Sequence, residues 1–417
     1  MVDRTPQDFG AIPDGMTDAT AAIQAAIDTS VPGDRLIISG GTFALASQLL
    51  IPVSGLSIVG DGRLQALAGF ADATLIEIEG QQVIFDTDGL ELDQAGLVTG
   101  GVSVLATGAA GLELRGLVSR GTGQAFVRLG SGTTDALIFA CDHAGEGSGV
   151  QALDPAGLAR LTVRGCRFAH PGEGTPGDGI SLACPTHGAD EILIVDCQAE
   201  GYIGAAGDQG RGFAFARVRD GKIIGCRAEA VAADGFHFAQ ECARWLAADL
   251  RVANAGGSGL IAYDSDDIKV VLAVVQTCAG HGLALSGEGR FGIASQQRVN
   301  GWIERCTVDT TGQDGIHFTA QRDFQVDRNA VRDPSLGNPG GFAGIHVGQQ
   351  GGTSLENANG LGAGNLITLS GATTPLGEIV VRSSSQNTII DGVTGQEPFA
   401  DGTFWSDGTG WIDGPPS

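Results

Sequence analysis

A four-residue pattern of glycine, a bulky apolar residue, a variable residue and a second apolar residue recurs along the chain. It reads GISL from Gly179, GFAF from Gly212, GFHF from Gly235, GLIA from Gly259, GLAL from Gly282, GIHF from Gly315 and GIHV from Gly344. Successive glycines stand 33, 23, 24, 23, 33 and 29 residues apart. Spacings of this size mark a solenoid, in which each turn is one supersecondary unit stacked on the next. Between the tetrads lie second alternating runs, RLTVRGCRF, EILIVDCQA, GKIIGCRAE and IKVVLAVVQTC. Short strands, glycine corners and no intervening helices predict an all-β fold, a right-handed parallel β-helix.

Alternation along a strand predicts Phe236 and Phe238 inward and His237 outward. Weaker units, GVSV at Gly101, GLEL at Gly111 and GVQA at Gly149, extend the pattern upstream, and GNLITLSG and SQNTIIDG extend it downstream. One segment has helical character: TDATAAIQAAIDTS from Thr17 carries a capping residue, alanines, and Ile23 and Ile27 on one face. It predicts a short N-terminal capping helix that covers the open end of the solenoid. The tail places Phe399, Phe404, Trp405 and Trp411 among Gly and Asp, as expected of a C-terminal cap or subunit contact. The expected organisation is an entry strand and capping helix over 1–34, a β-helix over 35–395 and a cap or tail over 396–417.

Composition narrows the partners. The 48 acidic residues against 24 basic ones give a formal charge of −24, which repels phosphate backbones and anionic lipid, so neither nucleic acid nor membrane insertion is expected. Only Lys222 and Lys269 are lysines; the other 22 basic residues are arginines, able to grip an acidic glycan locally. The eight cysteines include no C-x-x-C, and Cys166, Cys197, Cys226 and Cys306 recur in similar contexts, as buried thiols of stacked coils would. No charged-then-apolar leader opens the chain and no run reaches membrane-spanning length. The expectation is a protein made in the cytoplasm without a signal peptide, or a secreted one whose signal was removed.

The opening DFGAIPDGMTDATAAIQAAID, Asp8 to Asp28, resembles the entry of the pectate-lyase-like superfamily of right-handed β-helix proteins. That resemblance implies the fold for nearly the whole chain. Its members include polysaccharide lyases, glycoside hydrolases, epimerases and phage tailspikes, so it leaves activity open. Entering directly at this motif looks most like a phage or phage-derived tailspike or tail fibre. Such proteins are usually homotrimers on a virion tail that bind bacterial surface polysaccharide, with or without cleaving it.

The residue before each tetrad glycine forms a column: Asp178, Arg211, Asp234, Ser258, His281, Asp314 and Ala343. Against the polygalacturonase pattern, Asp234 matches its first aspartate and His281 its Gly-His-Gly histidine. Ser258 and Gly259 stand where the aspartate pair belongs, and no Arg-x-Lys follows. Hydrolysis needs one carboxylic acid and one carboxylate. Asp234 with Asp264 or Asp267 is the candidate pair, the bland reading being Asx turns. His237, Glu241, Tyr263, Asp314, His317 and Arg211 are candidate sugar contacts beside them. No metal is assigned: His237 and His317 lie three coils apart, too far to share a zinc. The loop carboxylates of Asp264, Asp266 and Asp267 are hard oxygen ligands of the kind that suits calcium. Arg211 and Arg290 are the arginines offered as a lyase base.

Overall fold

The computed structural model describes residues 1–94, 101–121, 123–184, 186–204, 209–287, 298–334, 342–348, 357–358 and 360–368. Beyond these it describes backbone segments at 377–382, 385–386, 389–390, 393–394, 401–406 and 411–413. The fold is the expected all-β, right-handed parallel β-helix, and it divides into two compact units, Met1–Gly212 and Phe213–Ser417. Each unit stacks parallel strands of three long sheets coil upon coil, and the second adds a fourth, four-stranded sheet made by Arg298–Val299, Gln321–Arg322, Asn357–Ala358 and Ser385–Gln386.

In the first unit the entry motif forms a strand, Asp14–Asp18, paired in parallel with Thr42–Leu45, and then a helix, Thr20–Asp28. The helix starts three residues later than Thr17 because that stretch is consumed by the strand. Its start is fixed by Asp18, whose carboxylate accepts the Thr20 N–H at 2.9 Å and the Thr20 hydroxyl at 2.5 Å. Ile23 and Ile27 are buried as their spacing predicts. Gln24 turns to the edge strand Leu49–Ile51: its amide donates to the Leu50 carbonyl at 2.9 Å and accepts the Leu50 N–H at 3.0 Å. One side chain thus satisfies both backbone groups of an otherwise open strand edge.

The upstream tetrads need correction. GLEL lies in the strand Glu113–Arg115, in a different sheet from the tetrad strands. GVSV is set two residues out, because Val104 rather than Val102 aligns through Val127 and Val150 with Ile180 of GISL. An apolar alternation cannot tell these cases apart, since a two-residue shift keeps every side chain on its face.

In the second unit the tetrad register holds throughout. Phe213, Phe236, Leu260, Leu283, Ile316 and Ile345 pair in sequence across six successive strands. Phe213 stacks on Phe236 with ring centres 4.9 Å apart, and Phe215 on Phe238 at 5.3 Å. The tetrad glycines are required by space. A Cβ at Gly235, Gly259, Gly282 or Gly315 would sit 2.5 to 2.7 Å from the carbonyl oxygen of the next coil's glycine. It would also meet Val252, Val275, Val308 or Val331. All eight cysteines are buried and unbridged, as expected. Cys141, Cys166 and Cys197 each direct Sγ at a carbonyl of the preceding coil, 3.5 to 3.6 Å away.

At the C-terminal end Asp401–Ser406 pairs antiparallel with both Gly377–Arg382 and Trp411–Asp413. Phe399 and the side chains of Phe404, Trp405 and Trp411 lie outside the described residues.

Two consequences can be measured. Gly259→Ala should lower the midpoint of thermal unfolding and cost about 1–3 kcal/mol, as overpacking against backbone does; an unchanged melt would contradict the close coil contact. His143 is fully buried, stacked on Phe126 with its Nδ1 3.2 Å from Ser119 Oγ, and burial pulls its pKa down to about 4. The folded state refuses a proton that the unfolded chain accepts near pH 6.5, so stability falls as pH drops from about 6.5 to 4, by up to about 3 kcal/mol. Urea unfolding should show that loss in the wild type and a smaller one in His143→Gln.

Candidate functional site

The column of residues before the tetrad glycines is partly a structural device. Asp178 accepts the backbone N–H of Arg211 at 2.9 Å, Asp234 that of Ser258 at 2.7 Å, and Asp314 that of Ala343 at 2.6 Å. In each case the carboxylate Oδ1 ties its coil to the next one at the strand entrance. In DGFHF and DGIHF, Oδ2 meets the histidine three residues on. Asp234 Oδ2 lies 2.7 Å from His237 Nδ1, and Asp314 Oδ2 lies 2.8 Å from His317 Nδ1.

This arrangement corrects the exposure expected of His237, though not its direction. It alternates with the core residues Phe236 and Phe238, so it does point to the opposite face, yet His237 and His317 are each only 5% exposed and His346 is fully buried. A neutral or charged imidazole is tolerated there because a carboxylate meets it at hydrogen-bond distance. Tyr263 completes the Asp234 group, its ring centre 5.7 Å from that of His237.

Around Asp314 the assembly is larger. His281, from the preceding coil's pre-glycine position, brings Nδ1 to 3.5 Å of Asp314 Oδ2, and His346, from the following coil, brings Nδ1 to 3.2 Å. The His281 and His317 rings stack with centres 4.5 Å apart. Asp314 is fully buried; burial alone would raise its pKa, but the hydrogen bonds and charges of His317 and His346 outweigh that and hold it well below the usual carboxylate range. His281 keeps 16% of its side chain exposed and so opens the cluster to the surface. His281 thus belongs to a four-membered polar cluster with Asp314, His317 and His346.

Other candidates are placed apart. Asp264 is a buried corner with φ 51°, immediately after the strand Leu260–Tyr263. Continuing the register back from Phe236 and Leu260 sets Asp234 beside Ser258, six residues before Asp264, so the backbones of the two aspartates stand about 20 Å apart along the strands at 3.3 Å per residue. Asp267 lies beyond Asp264 on the next sheet. Neither approaches the roughly 6.5–9.5 Å of an inverting pair. Asp264, Asp266 and Asp267 are also engaged by donors: Arg298 lies 3.9 Å from Asp264 and 3.4 Å from Asp266, Val299 N–H donates to Asp266 at 2.9 Å, and Asn300 donates to Asp267. These cations and N–H groups occupy the oxygens a calcium ion would use. Glu241 pairs with Arg217 at 3.3 Å, near the far end of the strand Phe236–Ala239. Arg211 belongs to the first unit and gives its backbone N–H to Asp178. Arg290 lies outside the described residues.

Sequence reasoning missed a second feature on another sheet of the same unit. A groove of about 610 Å³ is lined by Lys222, Lys269, Arg244, Arg305, Asp220 and Glu304 among others. Both of the chain's lysines meet here because Lys222, Leu246, Lys269 and Trp302 occupy one column of successive coils. Lys269 sits over the Trp302 ring, 4.0 Å from its centre. Asp220 is gripped by Arg244 at 2.5 and 2.6 Å, which lowers its pKa, and Glu304 is paired with Arg328 and with Arg305 at 3.4 Å. With the acids covered by arginines, the lysines give the groove its charge. The signal was present as the 47-residue separation of the only two lysines, two coils of this repeat.

Comparison with known proteins agrees with the fold. Residues 4–99, which contain the entry motif, match the family described as Rhamnogalacturonase A/epimerase, pectate lyase-like. No curated protein matches the sequence. Among solved structures the chain is similar to the surface protein and adhesin PfbA of Streptococcus pneumoniae (TM-score 0.56, 11% identity, 93% of this chain and 98% of that one). It is similar to the catalytic unit of the GH87 alpha-1,3-glucanase of Streptomyces thermodiastaticus (0.55, 13%, 99% and 71%). It is also similar to the family 28 exopolygalacturonase of Yersinia enterocolitica (0.51, 14%, 94% and 78%). At these identities the likeness is one of fold.

The buried Asp314 cluster yields a direct expectation. Asp314→Asn should destabilise the chain by about 3 kcal/mol or more, since it removes a buried charge from its partners. Asp234→Asn, at a carboxylate 17% exposed, should cost less. Denaturant midpoints of the two variants give the order, and the reverse order would refute the reading.

Proposed function

We propose that the protein binds an acidic polysaccharide of a bacterial surface, as a tailspike, tail-fibre or adhesin-like component. The observation that carries this reading is the lysine groove. On a chain of charge −24, an anionic polymer is repelled almost everywhere, and a local cationic channel is where it can settle. Lys222 and Lys269 are two coils apart, about 9.6 Å, so the solenoid spaces positive charges regularly along a linear ligand. The partly exposed residues Asp234, Tyr263 and His281 offer hydrogen-bonding and ring surface on a different sheet for neutral parts of a glycan.

That solved proteins of this fold include a surface adhesin, a glucanase and an exopolygalacturonase supports a saccharide ligand. Binding is favoured over inverting hydrolysis by the separation of Asp234 from Asp264 and Asp267. The tailspike resemblance of the entry motif adds a homotrimer on a virion tail, which light scattering of the purified chain would read as three copies.

The test is retention on immobilised uronate-containing and neutral polysaccharides. Uronate polymers should be retained and neutral ones far less so, with retention weakening as salt rises. Lys222→Ala/Lys269→Ala should weaken binding about 10-fold or more, as loss of two charge-assisted contacts does. Undiminished binding by that variant would refute the groove, and shortened product chains would replace the binding role by an enzymatic one.

A further inference from the structure

We infer that His281, Asp314 and His317, with His346 beside them, form a binding site for a divalent transition-metal ion of the zinc type. The inference is independent of the lysine groove and of any glycan.

Three observations carry it. The first is convergence: Nδ1 of His281, His317 and His346 lie 3.5, 2.8 and 3.2 Å from a single oxygen, Asp314 Oδ2. The ligating atoms of His281, Asp314 and His317 all fall within 4.8 Å of one another. Tetrahedral zinc with bonds near 2.1 Å has ligand-to-ligand edges of about 3.4 Å, so the separations to Asp314 are those of a coordination shell.

The second is the tautomer of His317. The Thr319 hydroxyl donates to the Gly348 carbonyl oxygen at 3.3 Å, so it must accept from His317 Nε2–H. With Nε2–H so held, the Nδ1 that faces Asp314 carries a second proton on a charged ring, or a lone pair on a neutral one. Two lone pairs at 2.8 Å repel unless a proton or a cation lies with them. One divalent ion satisfies His281, His317 and the carboxylate together, with His346 packed beside them, whereas protons alone would place several positive charges in a buried cluster around one negative one. Holding the outer nitrogen of a ligating histidine by a hydrogen bond is also how metal sites fix the ring.

The third is preorganisation and selectivity. Asp314 Oδ1 is anchored by the Ala343 N–H, and the coils carrying His281, His317 and His346 are locked by the strand register, so the ligands are arranged before any ion arrives. Imidazole nitrogens with one carboxylate suit zinc, copper or nickel rather than calcium or magnesium. His281, 16% exposed, marks the side of entry. The chain carries its own control: Asp234 and His237 repeat the same local motif, but the residue paired with His237 on the next coil is Ile261.

The experiment uses the full chain, stripped with a chelator and dialysed, then titrated with Zn²⁺ alone by calorimetry and by thermal melting. One zinc per chain and a raised melting midpoint are expected. His281→Gln, at the most exposed ligand, should weaken zinc binding about 100-fold or more while leaving the metal-free melt near wild type. Thr319→Val, which releases the His317 tautomer, should weaken it about 10- to 100-fold. Asp234→Asn should bind zinc as the wild type does. Absence of zinc binding by the wild type, equal binding by His281→Gln, or an equal shift with Ca²⁺ would each overturn the site.

Discussion

Everything in this protein depends on the parallel ladder keeping register from coil to coil. Each coil repeats its hydrogen bonds about 4.8 Å above the last, so residues 23 to 33 positions apart become immediate neighbours. The tetrad glycines enforce this packing, since only hydrogen fits between one coil's backbone and the next coil's carbonyl and valine. Once the ladder is set, a column of the sequence becomes a line on the molecule, and like side chains accumulate in stacks of phenylalanine, cysteine or histidine.

The same constraint explains why polar residues are buried where alternation alone would expose them. A strand entrance has a backbone N–H that must be satisfied, and Asp178, Asp234 and Asp314 each satisfy one with Oδ1. The second oxygens of Asp234 and Asp314 then meet His237 and, at Asp314, both His317 and His346. A carboxylate recruited for the ladder therefore gathers imidazoles, and the Asp314 group is the case in which three neighbouring coils each contribute one.

Charge is distributed by the same rule. The acidic surplus is spread over the chain, while Lys222 and Lys269 fall in one column with Trp302 and Leu246. Arginines pair with most of the carboxylates around them, as Arg244 does with Asp220. The groove and the histidine cluster thus occupy different sheets of one unit and serve different chemistry.

The sequence by itself determined the solenoid, the inward phenylalanines, the unbridged cysteines and the column that contains Asp234, His281 and Asp314. Those follow from a period and a spacing, which the ladder converts directly into neighbours. It did not determine where GVSV and GLEL sit, because alternation is blind to sheet identity and to two-residue shifts. Nor did it separate Asp264 from Asp234, since that distance runs along the strands, where a loop number says nothing until the corner is placed. Only the tertiary structure decided that His317 meets His281 and His346 through Asp314. His281 stands three positions before the column that His317 and His346 share, and it takes the carboxylate's reach around the strand entrance to bring the two columns together.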